Sequence, residues 1–357
     1  MVDFLDVDGS IGEGGGQVLR TALSLSVIIG TPIRVHNIRA GRRQPGLRPQ
    51  HMMAVNAAAR ICGAQVLGLE LGSKEIKFIP GKVTGGNQNI EIGTAGSTSL
   101  VFQTIAVPLS FAARSSRVKL FGGTHVPWSP CYHYLALQWV TFVRKIGYKI
   151  SLELKASGFY PKGGGSVVAI VKPVEKISAL NLTNRGALIR IRGFSAVANL
   201  PRNIAERQRA QVVRRMGDRY PLSDIRLSEL DSPPWAKGTM ILLLAEFQNS
   251  QACYFSLGKK GKPAERVADE AIDSLEAFLS SKGVIDEYLA DQILLPLVFA
   301  AGKSVFRTSK VTQHLLTNAQ IIKIITNADI IIDGKIGKTG LVQINPFAVQ
   351  NKDEEKL

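Results

Sequence analysis

The sequence predicts an α/β (α+β) fold in which a strand–helix–strand–helix unit recurs three times around a pseudo-three-fold axis, with a smaller α/β domain inserted. Three observations lead there. A glycine turn between strand and helix patterns, Gly12-Glu13-Gly14-Gly15-Gly16-Gln17, has counterparts at Gly93-Thr-Ala-Gly-Ser97 and at Gly158-Phe-Tyr-Pro-Lys-Gly-Gly-Gly165. Arg34-Val35 and Gly63 find partners in Arg117-Val118 and Gly147, a period of about 83 residues. Finally, the third copy is interrupted by a long stretch with its own succession of strand and helix patterns.

The elements follow in order. A short apolar, acid-spiked strand, Phe4 to Val7, leads into the first glycine turn. Val18 to Ile29 then reads as a helix, with Leu19, Ala22, Leu23 and Ser26 at helical spacing. Strand Pro32 to Ile38 and helix Gln50 to Ile61 complete the first copy. In the second, helix Leu100 to Ala113, strand Arg117 to Phe121 and helix Tyr132 to Ile146 follow the Gly93 turn. The third is expected to open on the Gly158 turn and strand Ser166 to Val171. It resumes with helix Tyr288 to Ala301, strand Ser304 to Arg307, helix Gln313 to Ile325 and strand Ala328 to Ile332.

The interruption divides the chain into residues 1–182 plus 282–357, the three-repeat domain, and 183–281, the insertion. Surface loops tolerate such insertions because the ends of a domain often lie close together. Within it, strand Leu188 to Ala198, helix Arg202 to Met216, strands Ile225 to Leu230, Thr239 to Gln248 and Cys253 to Leu257, and helix Ala264 to Leu279 are expected. The arginines of the first helix (Arg207, Arg209, Arg214 and Arg215) read as a solvated face, weakly attractive to RNA. The tail Asn351 to Leu357 is expected to fray.

With 357 residues, 45% hydrophobic and 20% charged, the chain can bury a large core. A net charge of +16 points to polyanionic partners such as nucleic acid or nucleotides. No apolar run is long enough to span a bilayer, and the acidic start carries no secretory signature. Cys62, Cys131 and Cys253 are scattered and odd in number. They argue for a reducing, cytoplasmic setting and against a zinc site.

The chemistry concentrates between Gly12 and His51. Strand, glycine turn and helix start expose unpaired N–H groups where the helix dipole favours negative charge. Arg20, Arg39, Arg42, Arg43 and Arg48 follow within forty residues, with Gln50 and His51. Arginine suits bidentate phosphate recognition, so the stretch is expected to bind phosphate. Equivalent loops of the other copies supply Thr124, His125, Pro127 and Pro130, and then Lys310, Thr312, Gln313 and His314. Of the five histidines, His36 lies mid-strand, and His125 and His133 suit packing roles. His51 and His314 each open a helix, where the dipole disfavours the imidazolium and keeps the ring neutral and nucleophilic.

These motifs, together with Ile38-Arg-Ala-Gly-Arg42, Pro45-Gly-Leu47, Glu287-Tyr-Leu-Ala-Asp-Gln292 and His314-Leu-Leu-Thr-Asn318, resemble the RNA 3′-terminal phosphate cyclases over nearly the full length. The resemblance implies an ATP-dependent, ligase-type RNA-processing enzyme that converts an RNA 3′-phosphate into a 2′,3′-cyclic phosphate, with AMP and pyrophosphate as products. It implies His314 as the nucleophile, forming a histidine–AMP adduct, with Asp291 nearby. It places Glu13 at a Mg²⁺ or Mn²⁺ ion, and Arg20 and His51 among the catalytic groups. Arg39, Arg42 and Gln50 would surround the substrate phosphate. Gln103, Pro130, Tyr288, Leu289, Ala290, Asp291 and Gln292 would bind ATP, Tyr288 stacking on adenine. All of these lie outside the insertion. Two other readings are a non-catalytic cyclase-like RNA-binding factor of ribosome assembly and an enolpyruvyl transferase built on the same repeat. The first class lacks the nucleophilic histidine, and the second does not carry the Phe-Tyr-Pro-Lys-Gly-Gly-Gly turn.

Overall fold

A computed structural model describes residues 2–347, so the tail Asn351 to Leu357 lies outside the described residues. Among the described residues, sixteen strands form four four-stranded sheets. The first comprises β1 (Leu5–Asp8), β2 (Ile33–His36), β3 (Gln65–Leu67) and β4 (Ile76–Ile79), ordered β1-β2-β4-β3. The second comprises β5 (Asn87–Glu91), β6 (Ser116–Gly122), β7 (Lys149–Ala156) and β8 (Gly165–Lys172), ordered β5-β6-β8-β7. β1 runs parallel to β2 and β5 to β6, while every other pairing in these two sheets is antiparallel. Each parallel pair needs a crossover, which helix Gly16–Ile29 supplies in the first sheet and helix Thr98–Leu109 in the second.

The same order and senses return in a third sheet. It contains β9 (Asn181–Leu182), β14 (Ser304–Thr308), β15 (Asp329–Asp333) and β16 (Gly340–Asn345), with β9 parallel to β14 and the rest antiparallel. One expectation changes here. The Gly158–Gly165 turn does not lead into the third sheet; it joins β7 to β8, and β8 pairs with β6 and β7 in the second sheet. β9 is the first strand of the third sheet instead, and two residues are too few to give a readable strand pattern. The hairpin strands β3, β4, β7 and β16 were likewise not read from the sequence.

Helix Gly16–Ile29 lies at the centre. Ten of its 14 residues are buried, and it packs against helices Pro49–Cys62, Thr98–Leu109 and Gln313–Thr326. A helix hydrophobic on nearly all sides belongs in an interior rather than at a surface. Its small polar residues are satisfied locally: Ser24 Oγ donates to Thr104 O at 2.7 Å and Ser26 Oγ to Thr31 O at 2.6 Å. The largest buried apolar cluster runs from Val7 to Ile344 and includes all four of these helices.

Residues 188–279 enclose a second apolar cluster beneath a fourth sheet, ordered β11-β10-β12-β13 (β10 Leu188–Ala198, β11 Leu222–Glu229, β12 Gly238–Phe247, β13 Gln251–Leu257). Its two helices correct the reading of the basic face. Arg207 makes a bidentate pair with Glu265, at 2.7 Å for both bonds, and Arg215 bonds Asp269, Asp273 and Glu276. Arg207 and Arg215 are therefore turned to the acidic flank of helix Ala264–Ser280 and are not a free RNA-attracting face.

Two long helices expected from the periodicity are broken. The segment 132–145 contains a π-helical turn at Leu135–Trp139, and 287–298 splits into Glu287–Gln292 and Leu294–Val298. The π-helical turn lies beside the buried Asp286 through Gln138, and Asp286 caps helix Glu287–Gln292 by accepting from the N–H groups of Tyr288 and Leu289. Asp286 also accepts from Tyr134 Oη and Gln138 Nε2, each at 2.7 Å. Replacing Asp286 by Ala removes an N-cap and orphans two buried donors. The loss should be about 3 kcal/mol or more in denaturant unfolding. A change under about 1 kcal/mol would contradict this role for the network.

Candidate functional site

The N-terminus of helix Gly16–Ile29 meets that of Gln313–Thr326 through Gln17 and His314. His314 Nδ1 is hydrogen-bonded to Gln17 Oε1. Gln17 Nε2 donates to the His314 carbonyl at 3.0 Å and to Asp291 Oδ2 at 3.3 Å. Both partners of the amide nitrogen are acceptors, so the amide oxygen faces the ring, and Nδ1 must carry the proton. The lone pair of the neutral ring then sits on Nε2. That atom lies 3.2 Å from Glu13 Oε2, which Arg42 Nη2 also approaches at 3.2 Å. Asn318, one turn along the helix, ties the assembly together by accepting from Thr21 Oγ1 at 2.7 Å and donating to Asp291 O at 3.1 Å.

The turn before Gln17 is shaped by close approach. Gly14 has φ of +53°, and a Cβ there would stand 2.6 Å from the backbone nitrogen of Gly41. A Cβ on Gly16 would run into the His51 ring. These glycines seat the arginine loop and His51 directly over the helix start. Neither helix Gly16–Ile29 nor helix Pro49–Cys62 has a side-chain N-cap, but they differ: the first turn of Gly16–Ile29 keeps N–H groups available for an anion, whereas Pro49 carries no N–H and His51 N donates to Arg48 O at 2.8 Å. By contrast, Ser97 and Thr312 cap their helices by accepting from Leu100 N and Leu315 N.

Burial and charge set the protonation states. Desolvation, then Arg20, Arg39 and Arg48, pull His51 down to about 3, so the ring is neutral in any ordinary buffer. Its buried Nδ1 has no partner among the described residues. Desolvation draws Arg20 down to about 10, against the opposing pull of Asp291, and it stays cationic at neutral pH. Asp291 is pushed up to about 7 by desolvation, with Arg20 acting the other way. His314 is held below its ordinary value, chiefly by desolvation, with Glu13 opposing and Arg20 and Arg42 assisting.

The structure gathers Glu13, Arg20, Arg42, His51, Asp291 and His314 into one site. Gln50 joins through Oε1, which accepts from Ser97 N at 3.3 Å. Arg39 Nη1 is committed to the carbonyls of Gln44 and Gly46, at 2.7 and 2.9 Å, and so braces the loop. Gln103 Nε2 donates to Gln292 Oε1 at 2.7 Å. Tyr288 is half exposed and meets Tyr134 and Tyr254 edge-on, at 6.5 and 6.2 Å between centroids, which leaves a ring face free. Leu289 and Ala290 are buried in the core, so their side chains are not available to a ligand. Pro130 precedes Cys131, the N-cap of the helical segment that carries Tyr134 and Gln138, and it is these two side chains, not Pro130, that bond Asp286. His125 and His133 form a buried pair of their own, Nε2 to Nδ1 at 2.9 Å, beside Phe159.

Sequence reading gave no role to Gln17, Asn318 or Tyr254. Tyr254 stands on β13 in the fourth sheet, and its Oη donates to Glu287 Oε2 at 2.7 Å and steadies the Tyr288 segment. Gln17 had a visible signal: a polar residue ends the glycine motif just where a helix begins. The other two depend on long-range packing.

Comparison with known proteins bears on this geometry. The family model described as RNA 3′-terminal phosphate cyclase matches residues 11–332. A protein named RNA 3′-terminal phosphate cyclase from Ectopseudomonas mendocina is 41% identical, covering 92% of this chain and 94% of its own. Like-named proteins from Methanopyrus kandleri and Salmonella enteritidis are 39% and 38% identical, over 97% and 90% of this chain and 99% and 94% of theirs. A solved structure of the enolpyruvyl transferase NikO from Streptomyces tendae aligns with a TM-score of 0.29 at 11% identity over 48% of this chain and 33% of its own, a likeness that carries no argument. No helix among the described residues is long and apolar enough to cross a membrane. On the family match and these identities across nearly its whole length, the chain belongs to the RNA 3′-terminal phosphate cyclase family.

Proposed function

We propose that this protein closes an RNA 3′-terminal phosphate into a 2′,3′-cyclic phosphate at the expense of ATP, with His314 as covalent nucleophile. The observation that carries the reading is the Gln17 junction, which holds the proton on Nδ1 of His314 and leaves the lone pair on Nε2. Nε2 attacks the α-phosphorus of ATP; a P–N bond forms, and the P–O bond to pyrophosphate breaks with its electron pair leaving on pyrophosphate. An oxygen of the RNA 3′-phosphate then attacks the adenylate phosphorus, breaking the P–N bond and freeing His314. The vicinal 2′-hydroxyl closes on the activated 3′-phosphate, loses its proton and expels AMP. Splitting the exchange at a histidine replaces one difficult step by easier ones, and the last is intramolecular.

Arg20, Arg42 and the uncapped N-terminus of helix Gly16–Ile29 offset the phosphate charge, and neutral His51 can donate to a phosphate oxygen without adding a charge among the arginines. Arg39 serves the substrate phosphate mainly by shaping the loop, and Gln50 through its place beside Ser97. Tyr288, Gln103, Gln292, Pro130 and the backbone of Leu289 and Ala290 form the ATP side of the proposal. The described residues contain no group of three or more His, Cys, Asp or Glu side chains that could cage a metal ion. Magnesium commonly uses one or two carboxylates and completes its shell with phosphate oxygens and water, so the partly exposed Glu13 fits such a post. Bound there, Mg²⁺ or Mn²⁺ would neutralise phosphate charge. Glu13 must leave Nε2 for the attack, and Arg42 gives the carboxylate a cationic partner away from the ring. His314 in this setting argues against a purely binding, ribosome-assembly role. The architecture belongs to the same proposal: three like-ordered units about a pseudo-three-fold axis, with 183–281 as an inserted domain, in the cytoplasm.

Incubation with α-labelled ATP tests the chemistry. The protein should retain label and His314→Ala should retain none; full labelling of His314→Ala would overturn the assignment. Gln17→Ala, which frees the tautomer, should slow labelling roughly five- to 150-fold, the value of about 1–3 kcal/mol for one buried hydrogen bond.

The pH dependence follows from Asp291. As pH falls through about 7 its carboxylate protonates, loses its charge and becomes a weaker acceptor that can also turn its O–H toward Gln17, so labelling should fall there. Asp291→Asn keeps an acceptor that cannot titrate, and should move the acid limb down to the depressed value of His314 itself. A limb unmoved by this substitution would assign it to another group. The stability effect has the opposite direction. A folded-state pKa raised above the ordinary 3.8 adds stability that is full below 3.8 and lost as pH rises through about 7.

A further inference from the structure

We infer that Trp128, Tyr160 and Trp235 form a stacking platform for the single-stranded nucleotides that precede the reacting end of the RNA, an inference that rests on the RNA reading above. None of the three serves the core: Trp128 is 100% exposed, Tyr160 67% and Trp235 57%. Trp128 also has φ of 64°, the left-handed region that bulky residues rarely enter, so the loop carries a backbone cost while presenting its ring to solvent.

Three segments bring these residues together. The Trp128 loop closes through Tyr132 N to Thr124 O at 2.8 Å, and Thr124 N and His125 N both donate to Gly158 O, at 2.9 and 3.0 Å. Gly158 begins the turn that presents Tyr160. The loop of Trp235 is bound to the same turn, with Ser157 N donating to Asp231 O at 2.6 Å and Ser232 Oγ to Ser157 O at 2.9 Å. A Cβ on Gly164 would lie 3.3 Å from Trp235 Nε1. The frame is stiff, because His125 stacks on Phe159 at 5.0 Å and Asn199 Nδ2 donates to Pro233 O and Ala236 O.

Charge and position fit the occupant. Lys162 and Lys237 flank the aromatic residues, exposed and without a carboxylate in salt-bridge range among the described residues. On the other side, a Cβ on Gly163 would lie 3.0 Å from Ala95 Cα, and Ser97 N reaches Gln50. The segment 94–97 thus touches the turn of Tyr160 on one side and Gln50, next to His51, on the other. Aromatic rings beside cationic side chains bind single strands with little regard to sequence, because every base offers a π-face. Duplex bases are already stacked and cannot use such a surface.

The test uses the intact protein and 3′-phosphorylated RNAs of two, four and eight nucleotides. Trp139 is buried, so quenching of tryptophan fluorescence reports on Trp128 and Trp235. Single-stranded RNA should quench it, and affinity should rise with length. Ala at any of the three positions should weaken eight-nucleotide binding roughly five- to 150-fold, with dinucleotide binding and RNA-free labelling by ATP unchanged. Trp128→Phe should restore most of the loss. Unchanged eight-nucleotide affinity in the triple Ala variant, measured by the anisotropy of end-labelled RNA because both reporter tryptophans are then absent, or equal binding of a duplex, would overturn the platform. Self-association abolished by the same substitutions with RNA affinity intact would also overturn it, and assign the patch to a second copy. Length-dependent RNA binding lost in the variants, in a protein that never takes up label, would uphold the platform while refuting the adenylate chemistry.

Discussion

One side-chain amide organises the site. Gln17 must donate from Nε2 to two acceptors, Asp291 and the His314 carbonyl, so its oxygen is left for the imidazole. That constraint fixes a tautomer, and it works only because two helices from distant parts of the chain lie side by side with their N-termini adjacent, Thr21 meeting Asn318 one turn beyond Gln17 and His314. The packing depends on the absence of side chains: a Cβ on Gly14 would meet Gly41, and one on Gly12 would strike Thr317 of the partner helix. Glycines placed where backbones must touch are worth their entropic cost.

Desolvation governs the electrostatics that follow. It is the first cause of the shifts at His51, Arg20, Asp291 and His314, and neighbouring charges only modulate it. The result is two neutral imidazoles amid arginines, beside a carboxyl that titrates near neutrality. Asp286 supports this arrangement from below by holding the helical segment of Asp291 against Tyr134 and Gln138. Tyr254 reaches across from the fourth sheet to the same segment. The fourth sheet is therefore coupled to the site through Tyr254, although none of the expected ATP residues lies within it.

Much of this was legible in the sequence for identifiable reasons. Helices Gly16–Ile29, Pro49–Cys62 and Gln313–Thr326 were read to within a few residues, because glycine or asparagine marks their ends and apolar spacing their faces. The α/β class followed from the recurring turn–helix–strand pattern. Short strands such as β9 and β3 were missed, since two or three residues carry no period. The Gly158 turn was assigned to the wrong sheet because glycine turns look alike whether they precede a helix or close a hairpin. The basic residues of Asn203–Met216 read as solvated because their acidic partners lie some sixty positions away. Site membership was clear where motif residues clustered, but the bonds that orient them, Gln17 to Asp291 above all, span nearly three hundred positions.

The central claim is that Gln17 leaves Nε2 of His314 as the attacking atom. Phosphorus–nitrogen coupling in the isolated adduct, formed from protein carrying ¹⁵N-labelled histidine, identifies the bonded nitrogen directly. The account predicts a single adenylate on Nε2 of His314, with Nδ1 still protonated. An adenylate on Nδ1, or on any residue other than His314, would contradict it.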